Sequence, residues 1–243
     1  MDINQFLELL KARKSIRRFK PEAIPEEYIE KMLEAGRWAM SEANAQPWEF
    51  IVVRDEETRS RIVDSWFEPH REMFAIEQTR TAEMRLPPLR RFATKTSFAE
   101  APLLIAALAD RRVHQAGTLA EHYLNGTLAP DASFMAGIAN ATQNIHLAAA
   151  ALGLGSQWVS VTRMWESAIR RILEIPEVLE VHSIAAIGYP DYQPPAAYRR
   201  PLSELMHTEK YDRSRYRSTG DILSYLRRLR QATTPAYEPR NQT

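Results

Sequence analysis

No cysteine occurs among the 243 residues, which excludes disulfides, iron–sulfur clusters, thiolate zinc sites and cysteine nucleophiles. Any electrons the protein moves must travel on a bound organic cofactor. Net charge is scarce as well: 32 Lys plus Arg against 31 Asp plus Glu leaves +1, a balance with no global field for holding nucleic acid or an anionic membrane. Long apolar runs are missing, since the longest, residues 101–109, is less than half of the ~20 residues a membrane-spanning helix requires. The opening Met1-Asp2-Ile3-Asn4-Gln5 carries an early acid and no apolar core behind a basic stretch, which predicts a soluble, cytoplasmic protein. His70, His114, His122, His146, His182 and His207 include no pair at the spacing of a helical metal site. No Gly-x-Ser-x-Gly elbow marks a hydrolase nucleophile. His146 reads as a satisfied core or interface side chain, because a buried imidazole needs only one good partner. Gly153-Leu154-Gly155 follows a helical pattern and precedes a strand pattern. That reverses the order of a dinucleotide fingerprint, and a helix C-cap is the simpler reading.

What the chain does contain is an interleaving of helical and strand patterns. Phe6, Leu9 and Leu10 predict a helix over 4–11, running into the basic cluster Lys11-Ala12-Arg13-Lys14-Ser15-Ile16-Arg17-Arg18. Pro25, Glu26 and Glu27 open a second helix reaching about residue 39, with Ile29, Met32, Leu33, Gly36 and Met40 along one face. Residues 49–53 read as a strand buried on both faces. Between residues 66 and 100 the period is lost among Trp66, Phe67, Met73, Phe74, Met84, Phe92 and the Pro87-Pro88 break, which predicts an inserted lid. A second buried strand follows at 102–108. From 133 to 152, Phe134, Ile138, Ala141, Ile145, Ala148 and Leu152 step by four and three along a helix that is apolar nearly all round, the buried spine of the fold. Strands at 157–161 and 183–187 flank a helix over 164–173, and a last helix near 221–230 carries Ile222, Tyr225, Leu226 and Leu229 on one side. The expected class is α+β: one domain over 1–243 with a lid at about 66–100 and a C-terminal arm at about 210–243.

The most informative residues sit at the amino-terminal end. In an extended chain Arg13, Ser15 and Arg17 point to one side as two guanidinium forks and a hydroxyl, a set suited to phosphate. A solvated basic helix end is the plainer alternative. A polar turn feeding a buried strand follows in Ala39-Met40-Ser41-Glu42-Ala43-Asn44-Ala45-Gln46-Pro47-Trp48-Glu49-Phe50-Ile51-Val52-Val53. Together with Arg13-Lys14-Ser15-Ile16-Arg17-Arg18-Phe19, it resembles the nitroreductase family of FMN-dependent oxidoreductases. Ala149-Ala150-Ala151-Leu152-Gly153-Leu154-Gly155-Ser156, Ile187-Gly188-Tyr189-Pro190 and Arg199-Arg200-Pro201-Leu202 look like the family's later landmarks. The resemblance covers about residues 5–210 and is weakest in the lid.

The resemblance implies a mostly antiparallel central sheet flanked by helices, a long buried central helix and an intertwined homodimer. It implies that Arg13, Ser15 and Arg199 hold the FMN phosphate. Arg17 would lie beside the flavin edge where negative charge gathers on reduction, and Trp158, Val159 and Ser160 would lie along the ring near N5. Ser41 and Asn44 would reach the flavin from the partner subunit, with Lys14, Gln46 and Arg200 in the same cofactor-binding stretches. Three departures stand out: Met40 where the family has proline, Glu42 beside Asn44, and Ala197 where some members carry a lysine. The implied activity takes hydride from NADH or NADPH and passes it by a ping-pong cycle to a nitroaromatic or quinone. The chemistry is carried by FMN N5 without a catalytic side chain or metal. Dehalogenation, flavin fragmentation and dehydrogenation are family alternatives, and non-catalytic FMN binding is another. A nucleic-acid-binding tail built on Arg213, Arg215, Arg217, Arg227, Arg228 and Arg230 is disfavoured by the near-zero net charge.

Overall fold

A computed structural model of the chain describes residues 2–81, 84, 97–113, 131–195 and 198–233. It divides into two compact units, Met1–Tyr192 and Gln193–Thr243. Helix α1 (Ile3–Ala12) begins where Asp2 can cap it: its carboxylate accepts the Gln5 N–H and the Gln5 side-chain oxygen accepts the Asp2 N–H, both at 2.9 Å. Ile3, Phe6, Leu7 and Leu10 stay exposed on it. Helix α2 (Glu26–Arg37) buries Ile29, Met32 and Gly36. Met40, expected on that face, is 80% exposed because the helix has already ended.

Four strands form one sheet in the order β1-β2-β4-β3, every neighbouring pair antiparallel: β1 (Trp48–Val53), β2 (Leu103–Asp110), β3 (Gly155–Ser160) and β4 (Leu179–Gly188). The central β2 is buried at every residue. β1, expected to be covered on both faces, packs Ile51 and Val53 into one core and Phe50 and Val52 against the other. It is an edge strand, and Phe50, Ile51 and Val52 are half-buried there. The spine helix α4 (Asp131–Ala151) and α2 cover one face, packing Ile145, Ala149 and Met32 on Leu103, Ile105, Ala185 and Ile187. A Cβ on Gly36 would lie 2.9 Å from Ile145, so α2 and α4 cross there in close contact.

Helices α3 (Glu56–Gln78) and α5 (Arg163–Leu173) cover the opposite face, over Leu104, Ala106, Ile184 and Ala186. The first third of the stretch expected as a lid is the continuation of α3. Trp66 and Phe67 pack with Phe98 and Trp165, ring centroids 4.6–6.3 Å apart, and the Trp165 indole N–H donates to the Ser65 hydroxyl at 3.0 Å. These aromatics make core rather than pocket. Phe92 and Pro87-Pro88 lie outside the described residues, as do His114 and His122. β4 bulges once: Ser183 faces Ala107 while Val181 faces Leu108, leaving His182 as the extra residue. The bulge returns Val181 and Leu179 to the face that already holds Ile184 and Ala186.

The second unit contains a short turn of helix at Leu202–Glu204 and helix α6 (Thr219–Thr233). Arg215 organises the turn between them, donating to the Asp212 carboxylate and to the carbonyls of Ser203 and Met206. Arg217 lies over the Tyr225 ring, 4.6 Å from its centroid.

Candidate functional site

α1 ends at Ala12, and the chain enters an extended path with Arg13 at φ −62°, ψ 118°. β3 is the edge of the sheet opposite β1, so its outward backbone groups need partners. The amino-terminal segment supplies one. The Ile16 N–H donates to the Ser156 carbonyl at 3.0 Å, forming a one-residue parallel bridge between Ser15 and Ser156. Further on, Phe19 bridges Pro190 and the Lys20 N–H donates to the Tyr189 carbonyl at 2.9 Å. Ile16 and Phe19 bury, Arg17 is exposed, and Arg13, Lys14 and Ser15 are half-buried. The expected alternation therefore holds from Ser15 to Arg17, and the basic cluster is a strapped segment rather than a solvated helix end.

Two glycines make room for this strap. Gly155 and Gly188 face each other in the β3–β4 ladder. A Cβ on Gly155 would lie 2.6 Å from Ile16, and one on Gly188 would lie 2.6 Å from Pro102 and 3.0 Å from Phe19. The turn into β3 is the expected helix cap. Gly153 takes φ +76°, the Gly153 N–H donates to the Ala150 carbonyl at 3.1 Å and the Leu154 N–H to the Ala149 carbonyl at 2.8 Å.

Ser156, the second residue of β3, also faces the spine helix. Its hydroxyl pairs with His146 Nδ1 at 2.8 Å, and both side chains are buried. His146 Nε2 has no hydrogen-bond partner among the described residues, so the histidine is a buried core side chain with the one good partner expected of it. Burial, and then the nearby Arg13 guanidinium, push its pKa from an ordinary 6.5 down to about 4. On the same face of β3, Trp158 is half-buried between two imidazoles: His146 at 6.0 Å and His182, edge-on, at 5.4 Å. Burial also lowers the His182 pKa, opposed by Glu180. Val159 is buried in the opposite core and Ser160 is exposed at the strand's end.

Acid should probe His146 directly. The unfolded chain binds a proton at this imidazole below its ordinary pKa, whereas the folded chain resists protonation until about pH 4. The stability due to the neutral buried ring is present above pH 6.5 and lost as pH falls through that window. Urea unfolding at pH 5 should therefore give about 2 kcal/mol less stability from this group than at pH 7, and His146→Asn should flatten the difference. An undiminished acid loss in the variant would place the effect elsewhere.

Ser41, Asn44 and Gln46 lie on a separate patch. The Gln46 N–H donates to the Ser41 hydroxyl at 2.9 Å and the Gln46 amide to the Asn44 carbonyl at 3.2 Å. Ala43, Asn44 and Gln46 all have positive φ, between 47° and 53°, a strain that only a closely supported turn retains. The spine supports it: Asn140 donates to the Met40 carbonyl at 3.2 Å, Ser133 to the Glu42 carboxylate, and Ser41 packs on Gly137. Gly137 is nine residues before His146, about 13 Å along the helix axis. Within one chain the turn and the strap are thus separate patches on the spine. Arg199 and Arg200 belong to the second unit, where Arg199 donates to the Tyr198 carbonyl at 3.0 Å and Arg200 to the Glu204 carboxylate at 3.2 Å. Ala197 lies outside the described residues. Sequence reasoning named the strap and β3 but missed the His146–Ser156 pair, whose members meet only because the Gly153 turn folds strand back along helix.

The model of the nitroreductase family matches residues 10–189. The chain belongs to the nitroreductase family. The matched stretch contains the strap, the polar turn, the spine and the whole sheet. Among nitroreductase-family relatives, a provisionally named NADH dehydrogenase/NAD(P)H nitroreductase of Archaeoglobus fulgidus is 32% identical over 77% of this chain and 87% of its own length. The 5,6-dimethylbenzimidazole synthase of Rhodospirillum rubrum is 28% identical over 77% of this chain and 82% of its own. The solved FMN-dependent nitroreductase of Clostridium difficile superposes with a TM-score of 0.60 at 25% identity, over 84% of this chain and 99% of that one. The α+β nitroreductase fold expected from the motifs is the fold observed. Among the described residues, no nitroreductase helix is long and apolar enough to cross a membrane.

Proposed function

We propose that the chain is an FMN-dependent oxidoreductase that takes reducing equivalents from NADH or NADPH and delivers them in turn to an electron-poor acceptor such as a nitroaromatic or quinone. The observation that supports this most is the strap. Guanidinium and hydroxyl donors for a phosphate sit on a segment whose backbone is bonded to the strand carrying Trp158, Val159 and Ser160. One corner of the fold thereby offers both a dianion grip and a strand edge for a flat ring. The donor set fits a phosphorylated flavin, because guanidinium and hydroxyl groups are strong donors to phosphate.

When bound, FMN would supply a two-electron carrier at its N5. Arg13 and Ser15 bind the phosphate in this reading, Lys14 extends the positive field, and Arg17 counters the charge that gathers on the ring's pyrimidine edge. Trp158, Val159 and Ser160 orient the ring. Ser41, Asn44 and Gln46 act from a second copy of the chain, a role favoured by their separation from the strap within one protomer.

A second reading keeps the flavin corner but changes the reaction, and the 28% identity to an enzyme named as a synthase rather than a reductase favours it. Purified full-length protein distinguishes the two. It should be yellow, sediment as a dimer, and lose its colour under anaerobic NADH or NADPH, regaining it on addition of a nitroaromatic or quinone. A colourless protein that takes up no FMN defeats the flavin reading. A yellow protein that neither nicotinamide bleaches retains the flavin and defeats the reductase.

A further inference from the structure

We propose that His146 is a positioning residue that sets the strap in register with the ring-side strand. The inference rests on the flavin reading above and deepens it. Ser156 is the meeting point: its carbonyl accepts the Ile16 N–H, its hydroxyl pairs with His146, and its position in β3 is fixed opposite Ile187 of β4. Directly before it, Gly155 lies against the branched stem of Ile16. A displacement of Ser156 is therefore passed without slack to the residues on either side of Ile16, which are Ser15 and Arg17.

His146 is well placed to prevent that displacement. It stands on the buried spine, 3% exposed, and among the described residues Ser156 is its only hydrogen-bond partner. Its ring also lies near Trp158, two residues further along the strand. The Arg13 charge reaches it from the strap and, with burial, keeps the imidazole neutral. One side chain is thus in contact with β3 and within electrostatic reach of the strap. In the flavin reading these hold opposite ends of the same ligand, the ring and the phosphate. Misregistry penalises a ligand gripped at both ends and leaves a ligand held only by its ring almost untouched.

Riboflavin is that second ligand, since it lacks only the phosphate. Fluorescence titration of apoprotein should show that His146→Ala weakens FMN about tenfold more than riboflavin, in line with the loss of well-aligned charge-assisted bonds. His146→Asn, whose amide can reach the Ser156 hydroxyl, should restore most of the difference. Ser156→Ala, which removes only a hydroxyl, should reproduce the effect and carries the test alone if His146→Ala does not fold. Equal weakening of the two ligands, or none in a folded variant, overturns the positioning role. If wild-type protein binds neither ligand, the flavin reading falls first and takes this inference with it.

Discussion

Replacing Arg13 and Ser15 together by alanine should yield a colourless protein that loses its flavin on dialysis. Each charge-assisted bond to a phosphate contributes about 1.5–3 kcal/mol, so removing two donor side chains should weaken FMN by a hundredfold or more. Both residues are half-buried on the strap, and neither supplies the backbone bond from Ile16 to Ser156. The fold should therefore survive, and His146 provides an independent check that it does. Loss of the Arg13 charge removes one of the two causes holding the imidazole pKa down, so the pKa should rise in the variant, read by NMR of the ring protons. Undiminished FMN occupancy after dialysis, with the His146 shift present, would mean that the strap does not hold the phosphate.

The second large effect is expected at Gly155. A methyl group there would sit 2.6 Å from Ile16 Cγ1 and 2.8 Å from its Cβ. These are atoms at the stiff base of a β-branched side chain, which cannot rotate away. Either the strap lifts off β3, breaking the Ile16–Ser156 bond, or the strand deforms. Overpacking of this kind costs roughly 1–3 kcal/mol, and the short distances put Gly155→Ala toward the top of that range. Urea unfolding measures the loss. Pairing it with Ile16→Ala, which removes Cγ1 and Cγ2 and leaves only the Cβ contact at 2.8 Å, should recover part of it, whereas simple additivity of the two losses would show that the contact is not the cause.

These two sites also mark how far the residues alone could be read. The helices were legible because burial imposes a period. The spine expected over 133–152 is observed at Asp131–Ala151, and the helix expected over 164–173 at Arg163–Leu173. Strands at the sheet's centre were legible from continuous apolar runs. β1 follows the same rule, its side chains packing toward both cores, with only partial cover for Phe50, Ile51 and Val52 at the edge. The helical period was not legible at 66–78, where α3 continues through charged residues and Pro69. There the packing of Trp66 and Phe67 against Phe98 and Trp165 outweighs a weak local period.

The amino acids by themselves determined the family, the buried spine, the absence of thiol chemistry and the placing of a guanidinium and a hydroxyl at Arg13 and Ser15, because these depend on residue type and short-range spacing. Only the tertiary structure decided what those donors stand next to. A free strand edge, two facing glycines and a turn at Gly153 bring Ile16, His146 and Ser156 together from separate parts of the chain. Contacts between such distant segments leave no period in a linear pattern, which is why the pairing of His146 with Ser156, the residue that bonds the strap, shows only in three dimensions.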